Sequence, residues 1–357
     1  MSLLNRTLDE IGVLHAGAME RARKRLDGLI KPPGSLGVLE EMAVRLAGIT
    51  GNPLPEVREK VIIVMAGDHG VVAEGVSVAP REITAQMLPA FLAGKAGIGV
   101  LSRHAGARLV VVDVGVAGTV DCPGVLQRKV RPGTGNIAAG PAMSGEEAVA
   151  ALEVGIATAL AEIDRGAALL ATGDMGIGNT TPSSALLAAF SGCSAAEAAG
   201  RGTLVNDRVM DLKVKAIERA LEVNRPDPAK PLEVLAKVGG LEIAGLAGVV
   251  LGAAAKRVPV LIDGFITTAA ALVACKLQPW AKEFMIASHL SGEQGHRLLL
   301  EQLDLAPVIH LQMRLGEGTG AALTMHLVEA AVRLMREMAS FDEAGVSGLE
   351  EDKIMKG

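Results

Sequence analysis

The sequence predicts an α/β protein built on a six-stranded, mostly parallel sheet with helices on both faces. Six short segments are rich in Val, Ile and Leu and lack the alternation of half-exposed strands, which is typical of strands buried on both faces. Segments with helical spacing separate most of them, and this strand–helix–strand order favours a parallel, Rossmann-like sheet. The predicted strands are 61–66, 108–113, 168–173, 258–263, 284–288 and 307–312.

Helical segments predict both the faces of the sheet and a second domain. Between the strands, Ala- and Leu-rich helices are predicted at 85–104, 145–165, 207–223 and 241–256. The two ends of the chain, 5–29 and 321–340, are amphipathic and predict helices of a different kind. We expect residues 1–35 and 332–357 to form a small helical domain, and residues 36–331 to form a large α/β domain.

The composition excludes several classes of protein. Of the 357 residues, 50% are hydrophobic and 21% are charged, and the net charge is only -5, which excludes a disordered chain and gives no basic excess for nucleic acid. Five Phe, one Trp and no Tyr leave little aromatic surface on which bases could stack. We therefore expect small-molecule ligands and no nucleic-acid partner.

Cysteine usage and the apolar segments predict a soluble cytoplasmic protein without a membrane partner. Cys122, Cys193 and Cys275 are odd in number and far apart, which is typical of a reducing compartment. The N-terminus carries acidic residues early and does not have the pattern of a secretory signal. The longest apolar stretches, 243–255 and 258–275, are either too short for a membrane span or contain polar positions.

Loops rich in Gly and Asp follow five of the six predicted strands. Because ligands of parallel sheets bind beyond the carboxyl ends of the strands, these loops are candidates for one site. Asp and Gly are also ordinary turn residues, so any single loop could be purely structural. The loops are 67–70, 113–115, 173–181, 263–265 and 313–320.

The loop at 173–181 nearly matches a nucleoside triphosphate-binding pattern. Gly173 and Gly178 have the required spacing, but Asn179 stands where a lysine would bind the terminal phosphates, before Thr180. The loop's backbone N–H groups and the helix predicted to start at Thr181 can still hold one phosphate. We predict a monophosphate site; a glycine-rich turn that packs a helix against its strand is the alternative.

Lysines and histidines near these loops are further candidates for binding a ligand. A phosphate dianion favours a cation, and either Lys213 or Lys215 could supply it, or both could be surface lysines. His69, His289 and His296 lack the spacing of a zinc helix, so no metal site is expected, and we predict that these histidines anchor loops.

The stretch 314–320, Arg-Leu-Gly-Glu-Gly-Thr-Gly, places a carboxylate between glycines. Gly316 and Gly318 remove side-chain bulk beside Glu317, so a flat ligand could lie against the backbone with the carboxylate at its edge. An exposed Glu in a flexible turn is the alternative interpretation.

Taken together, these stretches resemble the nicotinate-nucleotide dimethylbenzimidazole phosphoribosyltransferases, which make the lower-ligand nucleotide of cobalamin. The resemblance runs from Lys31 to about Ala331. It depends on KPPGSLG at 31–37, DHGV at 68–71, EGVS at 74–77, QM at 86–87, MGIGNTT at 175–181, VGG at 238–240, EIA at 242–244, DGF at 263–265 and RLGEGTG at 314–320. The sequence departs from the usual family pattern at Asp174, where Glu is usual, at Ala79, where Tyr is frequent, and at Gly135 and Gly140.

The resemblance implies a homodimer and a set of site residues. Glu317 would be the general base, the Gly-Ile-Gly-Asn loop with Lys213 would hold the nucleotide phosphate, and the loops around 77–86 would help to line the base pocket. The scarcity of aromatic residues predicts aliphatic walls for that pocket. The full expectation is catalysis by Glu317 and Asp174, nucleotide binding by Gly176, Ile177, Gly178, Asn179, Thr180, Gly202, Lys213, Asp263, Gly264, Ser291, Arg314 and Gly316, and base binding by Ser77, Gln86, Met87, Met175 and Leu315.

The implied reaction transfers phosphoribose from nicotinate mononucleotide to 5,6-dimethylbenzimidazole or a related base, with inversion at the anomeric carbon. No cofactor is expected, because the positively charged ring nitrogen of the nucleotide makes nicotinate a good leaving group. Two alternatives stay open: a nucleotide hydrolase in which Glu317 activates water, and a nucleotide-binding regulator without catalysis.

Overall fold

Six parallel strands form the central sheet, in the order β3-β2-β1-β4-β5-β6. The computed structural model describes residues 1–199 and 207–347. Every neighbouring pair of strands is parallel, and the long central strands are buried almost throughout, as their unbroken apolar sequences predict. The strands are β1 Lys60–Gly67, β2 Arg108–Gly115, β3 Val125–Gln127, β4 Leu169–Met175, β5 Val260–Ile262 and β6 Met285–Ala287. The predicted fold class is confirmed.

One predicted strand is wrong, and another takes its place. Residues 307–312 form only a single bridge, between Ile309 and His289, and His310, Leu311 and Gln312 are exposed. The sixth strand is β3, which pairs with β2 at the opposite edge of the sheet. It has three residues and only Val125 is buried, so its sequence has little of the apolar run that marks the other strands.

The described residues contain fifteen α-helices. Some of their N-termini show the expected capping residues: Ser144 and Glu147 form a capping box at the start of α6, and Pro231 occupies the first turn of α10. The helices are α1 Leu3–Glu10, α2 Ala16–Asp27, α3 Val38–Thr50, α4 Ile83–Leu92, α5 Gly97–His104, α6 Gly145–Asp164, α7 Thr180–Ser191, α8 Ala195–Ala198, α9 Asp207–Asn224, α10 Pro231–Val238, α11 Leu241–Ala255, α12 Phe265–Leu277, α13 Gln294–Leu303, α14 Thr319–Glu337 and α15 Phe341–Ala344.

The helix predicted at 85–104 is two helices, α4 and α5. Gly94 lies between them with a φ of 68°, which ends the first helix. The combined segment Ile83–His104 is the one stretch among the described residues that is long and apolar enough to cross a membrane by length and composition alone. Its division into two short helices, with Leu88 and Phe91 buried, identifies it as part of the α/β unit.

The chain divides into two compact units. The first contains Met1–Gly12 and Glu59–Thr324 and includes the whole sheet. The second contains Val13–Arg58 and the chain from Met325 onward, and within it the buried Lys31 forms an ion pair of 2.9 Å with Glu40. The Lys31 motif is therefore structural in this unit. These units are defined by their contacts and not by independent folding. The predicted domain boundaries therefore stay a prediction.

The strand order creates one crevice at the carboxyl edge of the sheet. From β1 the chain proceeds outward through β2 to β3, whereas from β4 it proceeds through β5 to β6 in the other direction. The loops that follow β1 and β4 therefore separate above the sheet, and open α/β sheets bind their ligands at such a point.

Candidate active site

A cavity of about 310 Å³ lies at this crevice, within the first unit. This volume is at the lower end of the range for small-molecule pockets. Four loops that follow strands β1, β4, β5 and β6, together with helices α4 and α9 and the loop before α14, supply its walls. The lining residues are Val76, Ser77, Val78, Ala79, Ile83, Met87, Asp174, Met175, Gly176, Ile177, Gly178, Asn179, Thr180, Lys213, Gly264, Phe265, Ile266, His289, Ser291, Glu293, Arg314, Leu315, Gly316 and Glu317.

Most of the residues predicted for the site line this one cavity, although they are scattered over 240 positions of the sequence. Three do not. Gln86 is exposed on α4, and its neighbour Met87 lines the cavity instead. Asp263 is buried beneath the cavity and is only 1% exposed. Gly202 lies outside the described residues.

Glu317 lies in a sharply turned loop and is 6% exposed. Gly316, Glu317 and Gly318 all have left-handed backbones, with φ of 79°, 63° and 91°. One carboxylate oxygen, Oε2, accepts the N–H of Ile98 at 3.2 Å, at the start of α5. The other oxygen, Oε1, has no hydrogen-bond partner among the described residues and is left for a ligand.

The electrostatic surroundings of Glu317 favour proton uptake. Burial raises the pKa of the Glu317 carboxyl, the Ile98 N–H lowers it, and the nearby Asp263 carboxylate raises it. A carboxylate with a raised pKa is a stronger base than an exposed one at neutral pH.

Asp174 is the second-to-last residue of β4 and is 7% exposed at the cavity wall. Its Oδ2 accepts a hydrogen bond of 2.8 Å from Asn179, whereas Oδ1 is buried without a partner in the described part of the chain. Burial, followed by the charges of Asp263, Glu242 and Glu317, raises the pKa of Asp174 to about 8, against the effect of Asn179. At neutral pH this side chain is therefore a protonated, uncharged acid.

The glycine-rich loop between β4 and α7 leaves part of its backbone free. The N–H of Ile177 donates to the Thr84 hydroxyl at 3.1 Å, and the N–H of Asn179 donates to the Gly176 carbonyl. Because these two N–H groups already have partners within the protein, they are not available to a phosphate. The predicted phosphate site is therefore limited to the remaining N–H groups of the loop. Within the described residues, the N–H groups of Gly178 and Thr180 have no partner, and they lie at the positive end of α7.

A lysine from α9 reaches the start of α7. The Lys213 ammonium donates to the Thr180 hydroxyl at 3.0 Å, and Lys213 is 1% exposed, whereas Lys215 on the same helix is exposed. Burial lowers the pKa of Lys213, and the charge of Glu293 raises it. The structure thus distinguishes the two lysines that the sequence left open.

A buried contact between a histidine and a glutamate supports the glycine-rich loop from below. His69 Nε2 lies 2.7 Å from Glu242 Oε1, and both side chains are almost fully buried. A Cβ atom at Gly176 would lie against the Gly67 carbonyl and 3.3 Å from His69 Nε2. The Gly67 backbone and the His69 side chain therefore leave no room for a side chain at Gly176.

His296 anchors the loop after β6, as predicted. Its Nδ1 accepts the N–H of Ser291 at 2.9 Å, and its Nε2 lies 2.9 Å from the hydroxyl of Thr268, which donates to the Gly264 carbonyl at 2.7 Å. Burial lowers the pKa of His296 to about 3, so the ring is neutral. Since Nδ1 accepts, the proton lies on Nε2, and the ring joins two loops that line the cavity.

Several lining residues were missed by the sequence analysis. Glu293 and Val76 lie in the same post-strand loops as the predicted residues, and Phe265 and Ile266 begin α12 directly after such a loop, but none of the four was predicted for the site. His289 also lines the cavity, with Nδ1 3.0 Å from the Ser288 hydroxyl. Their position just after a buried strand is the feature of the sequence that could have marked these residues as part of the site.

The apolar part of the cavity contains no stacked aromatic pair among its lining residues. Val76, Val78, Ile83, Met87 and Leu315 supply aliphatic or thioether groups, and Phe265 is the aromatic residue of the wall. Phe91 is buried in the core and does not line the cavity. A flat apolar ring would find mostly aliphatic contacts here.

Comparisons with known proteins agree over nearly the whole chain. Residues 11–346 match the family model DBI_PRT, described as a phosphoribosyltransferase. A nicotinate-nucleotide–dimethylbenzimidazole phosphoribosyltransferase of Desulforamulus reducens is 55% identical over 349 residues, which is 97% of this chain and 99% of that protein. One from Chloroflexus aggregans is 53% identical over 352 residues, which is 98% of this chain and 100% of that protein.

A solved structure shows the same fold. The crystal structure of CobT from Thermus thermophilus superposes with a TM-score of 0.90 at 49% sequence identity, covering 93% of this chain and 99% of that one. The family suggested by the sequence motifs is thereby confirmed, and this chain belongs to the nicotinate-nucleotide–dimethylbenzimidazole phosphoribosyltransferases.

Proposed function

We propose that this enzyme transfers the 5-phosphoribosyl group of nicotinate mononucleotide to 5,6-dimethylbenzimidazole or a related base, giving α-ribazole 5'-phosphate and nicotinate. The substrates are those in the names of its relatives. The observation that carries the proposal is the buried Glu317 carboxylate with one oxygen free, in the cavity that also contains the start of α7, Lys213 and an apolar wall.

In the proposed reaction, a ring nitrogen of the base attacks the anomeric carbon from the face opposite nicotinate. A new N–C bond forms while the N-glycosidic bond to nicotinate breaks, and its electron pair neutralises the positive ring nitrogen of the leaving group. The attacking ring becomes cationic, so the N–H on its second nitrogen becomes acidic. Glu317 accepts this proton, and a single displacement inverts the configuration from β to α.

The protonation of Asp174 supports Glu317 as the base. A carboxyl with a pKa of about 8 is already protonated at pH 7 and cannot accept a further proton there. Its hydrogen-bonded Oδ2 and unpartnered Oδ1 make it a hydrogen-bond donor to a bound ligand. We propose that Asp174 contacts substrate as a neutral acid.

Product analysis distinguishes the transferase from the alternatives. The enzyme is incubated with nicotinate mononucleotide, with and without dimethylbenzimidazole, and products are identified by mass and anomeric configuration. We expect nicotinate release only with the base, and an α-configured nucleotide. Equal nicotinate release without the base would indicate a hydrolase, and binding of nicotinate mononucleotide without turnover under either condition would indicate a regulator.

A single substitution tests the role of Glu317. Glu317→Gln keeps the size of the side chain but cannot take up the proton, so kcat should fall by roughly 10²–10⁴-fold while both substrates still bind. Glu301→Gln, at an exposed position on α13, is the matched control and should leave kcat unchanged. A Glu317→Gln enzyme with wild-type kcat between pH 6 and 9 would remove Glu317 from this role.

We also propose that the enzyme is a cytoplasmic homodimer. Free Cys122, Cys193 and Cys275 suit a reducing compartment. Val78 and Leu315, at the cavity, are more than half exposed, as is expected of apolar side chains that a second copy covers. Light scattering coupled to size-exclusion chromatography should give twice the mass of 36.7 kDa, and a monomer at micromolar concentration would contradict the dimer.

A further inference from the structure

Asp263 lies directly beneath the loop that holds Glu317. Both of its carboxylate oxygens accept hydrogen bonds from the end of that loop and the start of α14: Oδ2 accepts the N–H of Gly318 at 3.2 Å, and Oδ1 accepts the N–H of Ala321 at 2.9 Å. The side chain is fully buried and does not line the cavity. Its contacts are therefore with the protein rather than with a nucleotide.

We propose that Asp263 is a positioning residue that fixes the backbone of Glu317 for proton transfer, an inference that rests on the proposed role of Glu317 as the base. The sequence-based expectation that Asp263 binds nucleotide is replaced by this one. Asp263, which directly follows β5, acts as an N-terminal cap for α14. Its carboxylate accepts one N–H just before that helix and one within its first turn.

The Glu317 loop needs such support because its backbone is strained. Glu317 has a φ of 63°, in a region that residues with a Cβ atom rarely adopt, and it lies between two more left-handed residues. Such a conformation persists only where the surroundings over-determine it. The hydrogen bonds from Gly318 and Ala321 to one rigid carboxylate meet this requirement.

Two further contacts define the same loop. The Thr319 hydroxyl donates to the Gly316 carbonyl at 2.8 Å. A Cβ atom at Gly173 would lie 2.5 Å from the Glu317 carbonyl oxygen, so β4 packs closely against the loop. Asp263, Thr319 and Gly173 thus hold the backbone, while Ile98 holds the side chain of Glu317.

The charges around Asp263 agree with a structural cap. His289 Nδ1 lies 3.9 Å from Oδ1, and the Asp174 and Glu317 carboxyls are close enough to interact electrostatically. Burial raises the pKa of Asp263, whereas His289 and the backbone N–H groups lower it. The N–H bonds stabilise the ionised form in a place where water is excluded.

The test is Asp263→Asn, which keeps the shape but replaces one acceptor by an NH₂ donor that faces a backbone N–H. We expect kcat to fall by about 10²-fold, as small displacements of catalytic groups do, with the KM values for nicotinate mononucleotide and dimethylbenzimidazole unchanged. Asp113→Asn is the matched control, since Asp113 is also a buried carboxylate, near the end of β2, that accepts a backbone N–H, but this N–H belongs to Val116 and not to the Glu317 loop.

A double variant separates positioning from a general structural effect. If Asp263 acts through Glu317, Asp263→Asn should cause no further loss of kcat in a Glu317→Gln background. The inference would be overturned if the fold-losses of kcat in the two single variants multiplied in the double variant, or if Asp263→Asn raised the KM for the nucleotide. Wild-type kcat in Glu317→Gln alone would instead overturn the base assignment, so the two failures are distinguishable.

A second variant covers the case in which Asp263→Asn does not fold. Thr319→Val removes the bond to the Gly316 carbonyl without leaving a buried charge unpaired, and it loosens the same loop. We expect a lower kcat at unchanged KM, again without further loss in the Glu317→Gln background. Full activity in a folded Thr319→Val enzyme would contradict the requirement for a fixed loop.

Discussion

The Lys213 ammonium lies 3.0 Å from the Thr180 hydroxyl, so α9 places a buried cation at the N-terminus of α7. The unpartnered N–H groups of Gly178 and Thr180 lie at the same place. A helix N-terminus and an ammonium together favour a dianion more than either does alone. The geometry thus gives a physical basis for a single-phosphate site without the lysine of a triphosphate-binding loop.

Lys213→Ala should mainly raise the KM for nicotinate mononucleotide. The phosphate would lose a charged hydrogen-bond donor, whereas the groups around the reacting atoms would be unchanged. Lys215→Ala, on the same helix but exposed, is the matched control and should leave this KM unchanged. Steady-state kinetics and binding of nicotinate riboside, which lacks the phosphate, provide the measurement. Equal and wild-type binding of both ligands by the Lys213→Ala enzyme would show that the phosphate lies elsewhere.

The sequence predicted the central strands and the glycine-marked loops for a physical reason that also explains the errors. Strands β1, β2 and β4 are long and buried, so their apolar runs are unmistakable. Strand β3 has one buried residue in three, whereas 307–312 is apolar in sequence but exposed from 310 onward. A short edge strand depends on its neighbour more than on its own composition.

In the site, too, the sequence indicates what is local and does not indicate what depends on distant neighbours. Glycines on both sides of Glu317, and the glycines at 176 and 178, mark their loops in the sequence itself. The role of Asp263 depends on hydrogen bonds to residues 55 and 58 positions away, which no local pattern indicates. Likewise, only the packing of α9 against α7 distinguishes Lys213 from Lys215.

Met87→Ala should raise the KM for dimethylbenzimidazole, because Met87 lines the apolar part of the cavity and its thioether and methylenes would contact the ring. The KM for nicotinate mononucleotide should change less. Gln86→Ala, at the adjacent exposed position, is the control and should change neither value. If Gln86→Ala weakens use of the base as much as Met87→Ala does, Gln86 reaches the base in the working enzyme, as the sequence first suggested.

Gly176→Ala should destabilise the protein by about 1–3 kcal/mol and raise the KM for the nucleotide, because the new methyl group would press on the Gly67 carbonyl, which cannot move aside. Gly140→Ala is the matched control, since a Cβ atom there meets nothing within 4 Å and the backbone φ is not left-handed. Urea denaturation should show a lower free energy of unfolding for Gly176→Ala and an unchanged one for Gly140→Ala. Equal stability of the two variants would mean that the loop has room beneath it.

Asp174→Asn should become more stable than the wild type as pH rises. The pKa of the folded carboxyl, about 8, is above its ordinary value of 3.8, so the folded state binds this proton more tightly than the unfolded state does. The wild type therefore keeps the full stabilisation below pH 3.8 and loses it as pH rises towards 8, by at most about 1.4 kcal/mol per pH unit. Asn resembles the protonated carboxyl in shape and does not titrate, so this loss should be absent from the variant.

Thermal unfolding at intervals from pH 5 to pH 9 provides the measurement for Asp174→Asn. We expect the variant to have a somewhat higher Tm already near pH 5, because the wild type loses stability from pH 3.8 upward, and the difference to grow by several further degrees near pH 8. Asp227→Asn is the control, because Asp227 is an exposed carboxyl whose pKa is lowered by the Ala229 N–H, so its replacement should not produce a gain that grows with pH. A difference between Asp174→Asn and wild type that stays constant over this range would mean that Asp174 is already ionised at pH 5, and the carboxyl would then compete with Glu317 for the role of base.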